Sequence, residues 1–76
     1  MNNRIVVDPR ILSGKAVVKG TRIPVYLVLN LLAHGKKSQE IIKEYPELTT
    51  EDVFATMEYA SEHMKYEEVH SLEVIG

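Results

Sequence analysis

Apolar residues in this chain fall into short runs separated by turn chemistry, and each run predicts an element. Ile5-Val6-Val7 is β-branched and stops at Asp8-Pro9, which predicts a short strand. Ala16-Val17-Val18 predicts a second strand, flanked by Lys15 and Lys19 and bounded by Gly14 and Gly20, a charged setting that suits a sheet edge. Two such strands make at most a marginal hairpin, so they need a helical partner or the same strands of another copy. Gly20-Thr21-Arg22-Ile23-Pro24 is the connection that follows, with Pro24 suited to a first helical turn. Val25 to Ala33 is apolar on every side apart from Asn30 and stops at His34-Gly35, which predicts a central, buried helix. Ser38 is a good N-cap for a second helix from Gln39 to about Tyr45, with Ile41, Ile42 and Tyr45 inward and Pro46 as the stop. Thr49 three positions ahead of Asp52 resembles a capping box and opens a third, longer helix. Its residues Val53, Met57, Ala60 and Met64 have the spacing of a packed seam. From Tyr66 to Gly76, a fraying helix followed by a strand is one option.

Three helices with a tight junction at Tyr45–Thr49 fit a helix-turn-helix trihelical core with the hairpin beside it. The expectation is a mainly α, single domain over residues 1–76: a β-hairpin arm (1–23), the trihelical core (24–65) and an acidic tail (66–76). At 76 residues there is room for one small core, and a core of that size gives only a few kcal/mol, so a homodimer is expected. The absence of cysteine excludes disulfides and thiol chemistry and points to a cytoplasmic protein. No apolar run approaches a membrane span or a signal-peptide core.

A net charge of −2 hides a strong segregation. Residues 1–37 carry seven cations against Asp8 alone, a net +6, whereas residues 38–76 carry Lys43 and Lys65 against ten acids, a net −8. This provides a basic face for phosphates and an acidic face for a cationic protein, or else two halves that pack on each other within a chain or across a dimer.

The candidate DNA contacts are Arg10, Lys15, Lys19, Thr21, Arg22, Lys36, Lys37, Lys43, Thr49 and Thr50. Arg22, in a rigid loop at a helix start, can clamp a phosphate bidentately, or bind a carboxylate of the third helix such as Glu58 or Glu62. Thr21 serves either as a backbone cap of that loop or as a phosphate contact. Lys36, Lys37 and Lys43 lie on the second helix and its entry, where helix-turn-helix proteins touch the backbone of DNA. Against base reading stand Glu51 and Asp52, which place two negative charges at the start of the third helix. In the tail, Glu67, Glu68, Val69, Leu72, Val74 and Ile75 mix acid and apolar residues in a way that suits a basic groove of a protein partner, or a strand or turn closing the chain's own core.

No enzyme, metal or cofactor is expected. Ser13-Gly14-Lys15 is no phosphate loop, since Pro9 stands where that motif needs glycine and Ala16 where it needs Ser or Thr. His34, His63 and His70 are too scattered for a zinc set, and His34 is a cation at a helix C-terminus.

A longer pattern joins these pieces. Gly14-Lys15, Gly20-Thr21-Arg22-Ile23-Pro24-Val25, Gly35, Ser38 with Glu40-Ile41-Ile42, Tyr45-Pro46 with Leu48-Thr49, Asp52 and Tyr59-Ala60 together closely resemble the family called domain of unknown function 433, from about Arg10 to His63. The chain departs from it at Ser13-Gly14, where two glycines are usual, and at Ala16, where proline is usual. The resemblance implies a homeodomain-like helix-turn-helix fold and an antitoxin paired with a nuclease-like toxin. The resulting expectation is a regulator that binds promoter DNA through its basic half and neutralises such a toxin through its acidic half. The alternative is a protein-interaction module on a helix-turn-helix that does not meet DNA.

Overall fold

The structure, a computed structural model, describes the backbone of residues 2–75 and the side chains of residues 2–64. Two strands, β1 (Ile5–Val7) and β2 (Ala16–Val18), are followed by helices α1 (Val25–Ala33), α2 (Ser38–Glu44) and α3 (Thr50–Ile75). The strands pair antiparallel in the register Ile5↔Val18, Val6↔Val17 and Val7↔Ala16. The Asp8 carboxylate opens the turn between them by accepting the Arg10 N–H at 2.9 Å. Leu12, Ser13 and Gly14 then sit in the left-handed region, with φ of 48°, 56° and 83°. Ser13 thus holds a conformation that glycine adopts without steric cost, at one of the positions where the chain departs from the pattern it resembles. On its other side β2 is held by the chain leading into α1, where the Val18 N–H donates to the Ile23 carbonyl at 3.0 Å.

The helix ends follow local chemistry. Gly35, at φ 91°, lets the chain turn back so that the Lys36 N–H reaches the Leu31 carbonyl and the Gly35 N–H that of Leu32, each at 3.0 Å. The start of α2 differs from expectation by one residue: Ser38 is its first helical residue and Lys37 its cap. The cause is Glu40, whose carboxylate accepts the Lys37 N–H at 2.8 Å and so fixes the boundary from inside the helix. At α3 the expected box forms in both directions, with the Asp52 N–H on the Thr49 hydroxyl at 3.1 Å and the Thr49 N–H on the Asp52 carboxylate at 3.0 Å.

The helices pack on one another and α3 also reaches β1, around a core that includes Val18, Val28, Ile41, Leu48 and Val53. Two features differ from the sequence-based expectation. On α1 only Val25 and Val28 are buried, Tyr26 is 61% exposed, and the leucines at 27, 29, 31 and 32 are half-covered, so the helix is central without being enclosed. On α3 the inward residues are Asp52, Val53, Ala55 and Thr56, while Met57 and Met64 of the expected seam are exposed. Small side chains win there because the N-terminal segment runs close against the helix, close enough for the Asn2 amide to donate to the Ala55 carbonyl at 2.6 Å. Thr56 tolerates full burial because its hydroxyl donates to the Val53 carbonyl at 2.7 Å. Where a strand was one option, α3 continues helical to Ile75. Among the described residues no helix is long and apolar enough to cross a membrane.

Candidate partner and nucleic-acid interfaces

The loop from Gly20 to Pro24 is built by Thr21. Its hydroxyl donates to the Val18 carbonyl at 2.8 Å and accepts the Ile23 N–H at 3.0 Å, so it caps the loop from within. That geometry buries Ile23 and leaves Arg22 exposed. Arg22 forms no ion pair with Glu58 or Glu62, nor with any other carboxylate among the described residues.

Beside the Asn2–Ala55 bond, the N-terminal arm is tied to α3 by Arg4, whose guanidinium lies 3.0 Å from the Asp52 carboxylate. Burial by itself pushes the Asp52 carboxyl up, but hydrogen bonds from Thr49 and Arg4, together with the Arg4 charge, outweigh it and hold the group below the usual carboxylate range. Thr49 and Asp52, which stand where a recognition helix offers side chains to bases, are therefore engaged with each other and with Arg4. Of their neighbours Thr50 is half-buried and Glu51 exposed.

The other expected DNA contacts divide into two groups. Arg10 is held bidentately by Asp8 at 3.1 and 3.0 Å, and this pairing lowers the Asp8 carboxyl and raises Arg10. Lys36 lies 4.0 Å from Glu44, and with Lys43 and Glu40 the pair lines a shallow groove in which two cations face two acids. Lys15 sits 5.4 Å over the Tyr26 ring, within range of a cation–π contact. Lys19, Arg22, Lys37 and Lys43 are exposed and without a carboxylate partner among the described residues.

Past Ala60, the residues Ser61, Glu62, His63 and Met64 are all exposed. The His63 ring stacks on Tyr59 at 4.0 Å and hydrogen bonds through Nδ1 to the Tyr59 carbonyl at 2.9 Å. His34 makes the same type of bond to the Asn30 carbonyl at 2.8 Å, closing the end of α1. The side chains of Glu67, Glu68, Val69, Leu72, Val74 and Ile75, the expected partner contacts, lie outside the described residues. No group of three or more His, Cys, Asp or Glu among the described residues is placed to hold a metal ion. Two features lie outside the sequence-based expectation: the pairing of Arg4, there one cation of the basic half, with Asp52, and the exposure of Phe54, the chain's single phenylalanine, 56% exposed on α3.

Comparison with known proteins agrees with this architecture. The chain is 36% identical over 56 residues to the uncharacterized protein y4eO of Sinorhizobium fredii (strain NBRC 101917 / NGR234), a match that covers 74% of this chain and a quarter of that longer relative. A crystal structure of a DUF433 member protein from Anabaena variabilis ATCC 29413 superposes with a TM-score of 0.77 at 29% identity, covering 90% of this chain and 67% of that one. The family model described as "Protein of unknown function (DUF433)" matches residues 5–60, which takes in β1, β2, α1, α2 and the packed part of α3. The chain belongs to the DUF433 family.

Proposed function

We propose that this chain is a protein-interaction module of the antitoxin kind, in which the three-helix core holds out an acidic helix to a cationic protein partner. The observation that carries this reading is the course of α3. Among the described residues Thr56 is its last fully buried one, Tyr59 and Ala60 are half-buried, Ser61 to Met64 are exposed, and the helix runs on to Ile75. Beyond Met57 the sequence sets Glu58, Glu62, Glu67, Glu68 and Glu73 against Lys65 alone, with Val69, Leu72, Val74 and Ile75 among them. A helix that leaves its own core in this way gains most from a partner groove that is basic at its rim and apolar at its floor. The incompletely covered α1 supports association of two copies as the platform for such arms.

DNA binding is the second reading, favoured by one observation: Lys19 and Arg22, close in sequence at the end of the hairpin, are exposed and free of carboxylate partners among the described residues. Five of the ten expected contacts, Arg10, Lys15, Thr21, Lys36 and Thr49, already meet neighbours in this chain. Together with the acids Glu51 and Asp52 at the start of α3, where bases would be read, this favours the interaction module.

The test is co-expression with the product of the adjacent reading frame in a bacterial host. That product alone is expected to arrest growth and the chain to restore it. The triple variant Glu67→Gln/Glu68→Gln/Glu73→Gln should lose the restoration while keeping the wild-type melting curve. A neighbour that leaves growth untouched, or a triple variant as protective as wild type, contradicts the reading.

A further inference from the structure

An open groove of about 480 Å³ lies between the N-terminal segment and α3. Asn2, Asn3 and Arg4 form one wall, and Glu51, Phe54 and Glu58 line the other. Positions 51, 54 and 58 fall on one face of α3, three and four residues apart. The N-terminal wall is fixed, by Asn2 on the Ala55 carbonyl and by Arg4 on Asp52. Because the Arg4 charge is matched by Asp52, the groove's uncompensated charges are Glu51 and Glu58, which pair with no cation among the described residues. Between them the Phe54 ring is more than half exposed.

We propose that this groove takes a cationic amphipathic segment of the protein partner, an inference that rests on the interaction-module reading and gives it a second contact. An apolar side chain of that segment covers Phe54, and two flanking lysines or arginines meet Glu51 and Glu58. Seven helical residues separate the two carboxylates, which sets the partner's cations about 10.5 Å apart along the helix. Two carboxylates repel a phosphate backbone, and the ring between them selects an apolar anchor over a small polyamine. Glu62, exposed one turn further on, continues the same face of α3. The aromatic anchor supplies most of the affinity and the rim carboxylates set specificity and association rate.

The probe is a fluorescein-labelled helical peptide with lysines seven residues apart on either side of a leucine, titrated at low salt into the full chain, with a control peptide carrying glutamate at the lysine positions. The lysine peptide is expected to bind and the control not to. Phe54→Ala and the double variant Glu51→Gln/Glu58→Gln should each weaken binding about tenfold. Both alter exposed residues, so melting curves should match wild type, and the arm variant Glu67→Gln/Glu68→Gln/Glu73→Gln should retain binding within about twofold. Equal affinity for every variant, absence of binding, or a loss confined to the arm variant would overturn the proposal. So would sedimentation showing a dimer that Phe54→Ala dissociates, which would assign the groove to a second copy. Growth rescue separates the two ideas: rescue lost in the arm variant but intact in both groove variants sinks the groove and leaves the arm, and the reverse sinks the arm.

Discussion

Ile41→Ala is expected to cost about 3 kcal/mol, within the range for truncating a fully buried isoleucine. Ile41 has no exposed surface and is the one fully buried residue of α2, a helix that packs against both α1 and α3. Its loss removes apolar contact and leaves a void that the short α2 is poorly able to fill, since its ends are fixed by Glu40 on Lys37 and by the Tyr45 N–H on the Ile41 carbonyl at 2.8 Å. The magnitude matters because a single core of this size supplies only about 3–5 kcal/mol in total. The variant should therefore melt at or near room temperature, whereas Ile41→Val, which removes a single methylene, should cost about 1 kcal/mol. Thermal unfolding followed by circular dichroism checks both, and an alanine variant as stable as the valine variant would show that α2 does not carry the core.

Asp52→Ala should be next in size, at about 2 kcal/mol, from the loss of a helix cap and of a charge-assisted bond. The Arg4 share is discounted because that side chain is 49% exposed and the pair is partly screened by water. Asp52→Asn separates the two parts. Its amide oxygen still accepts the Thr49 N–H, so the asparagine variant should lose the ionic share and keep most of the cap. A pH signature goes with this. The folded Asp52 carboxyl lies below its unfolded value, so its stabilisation is fully present above the unfolded value and is lost as the pH falls through the folded one. Wild type should thus lose stability below about pH 4, with a slope that both variants reduce. Equal slopes for wild type and Asp52→Ala would place the acid-sensitive group elsewhere.

What was legible in the sequence was local. The hairpin strands, the stop at Gly35, the Thr21 cap of the loop and the Thr49–Asp52 box each depend on chemistry within a few residues, and each is where the pattern put it. The start of α2 moved by one residue because the decisive acceptor, Glu40, lies inside the helix rather than at the serine that looked like a cap. The face of α3 was misjudged for a different reason. Hydrophobicity ranks Met57 and Met64 above Ala55 and Thr56, but the close approach of the N-terminal segment rewards small side chains, and an internal hydrogen bond removes the cost of burying a threonine. The Arg4–Asp52 bond joins residues 48 positions apart, and no local signal marks it. Its discovery changes the candidate site, because it holds at the start of α3 a carboxylate that would otherwise face solvent or DNA. Phe54 and its two flanking glutamates became a surface only when the N-terminal segment was seen to lie beside them.

The most direct test of the central claim, that this helix-turn-helix domain serves a protein partner rather than DNA sequence, is fluorescence anisotropy of the purified chain with duplex DNA from its own promoter and with a scrambled duplex across a salt series. The account predicts weak binding at most, equal for the two duplexes and gone at moderate salt, because Thr49 and Asp52 hold each other and Arg4 while Glu51 faces outward. A clear preference for the promoter, declining log-linearly with salt over several phosphate contacts, would contradict it and would establish Lys19, Arg22 and their neighbours as a DNA-reading surface.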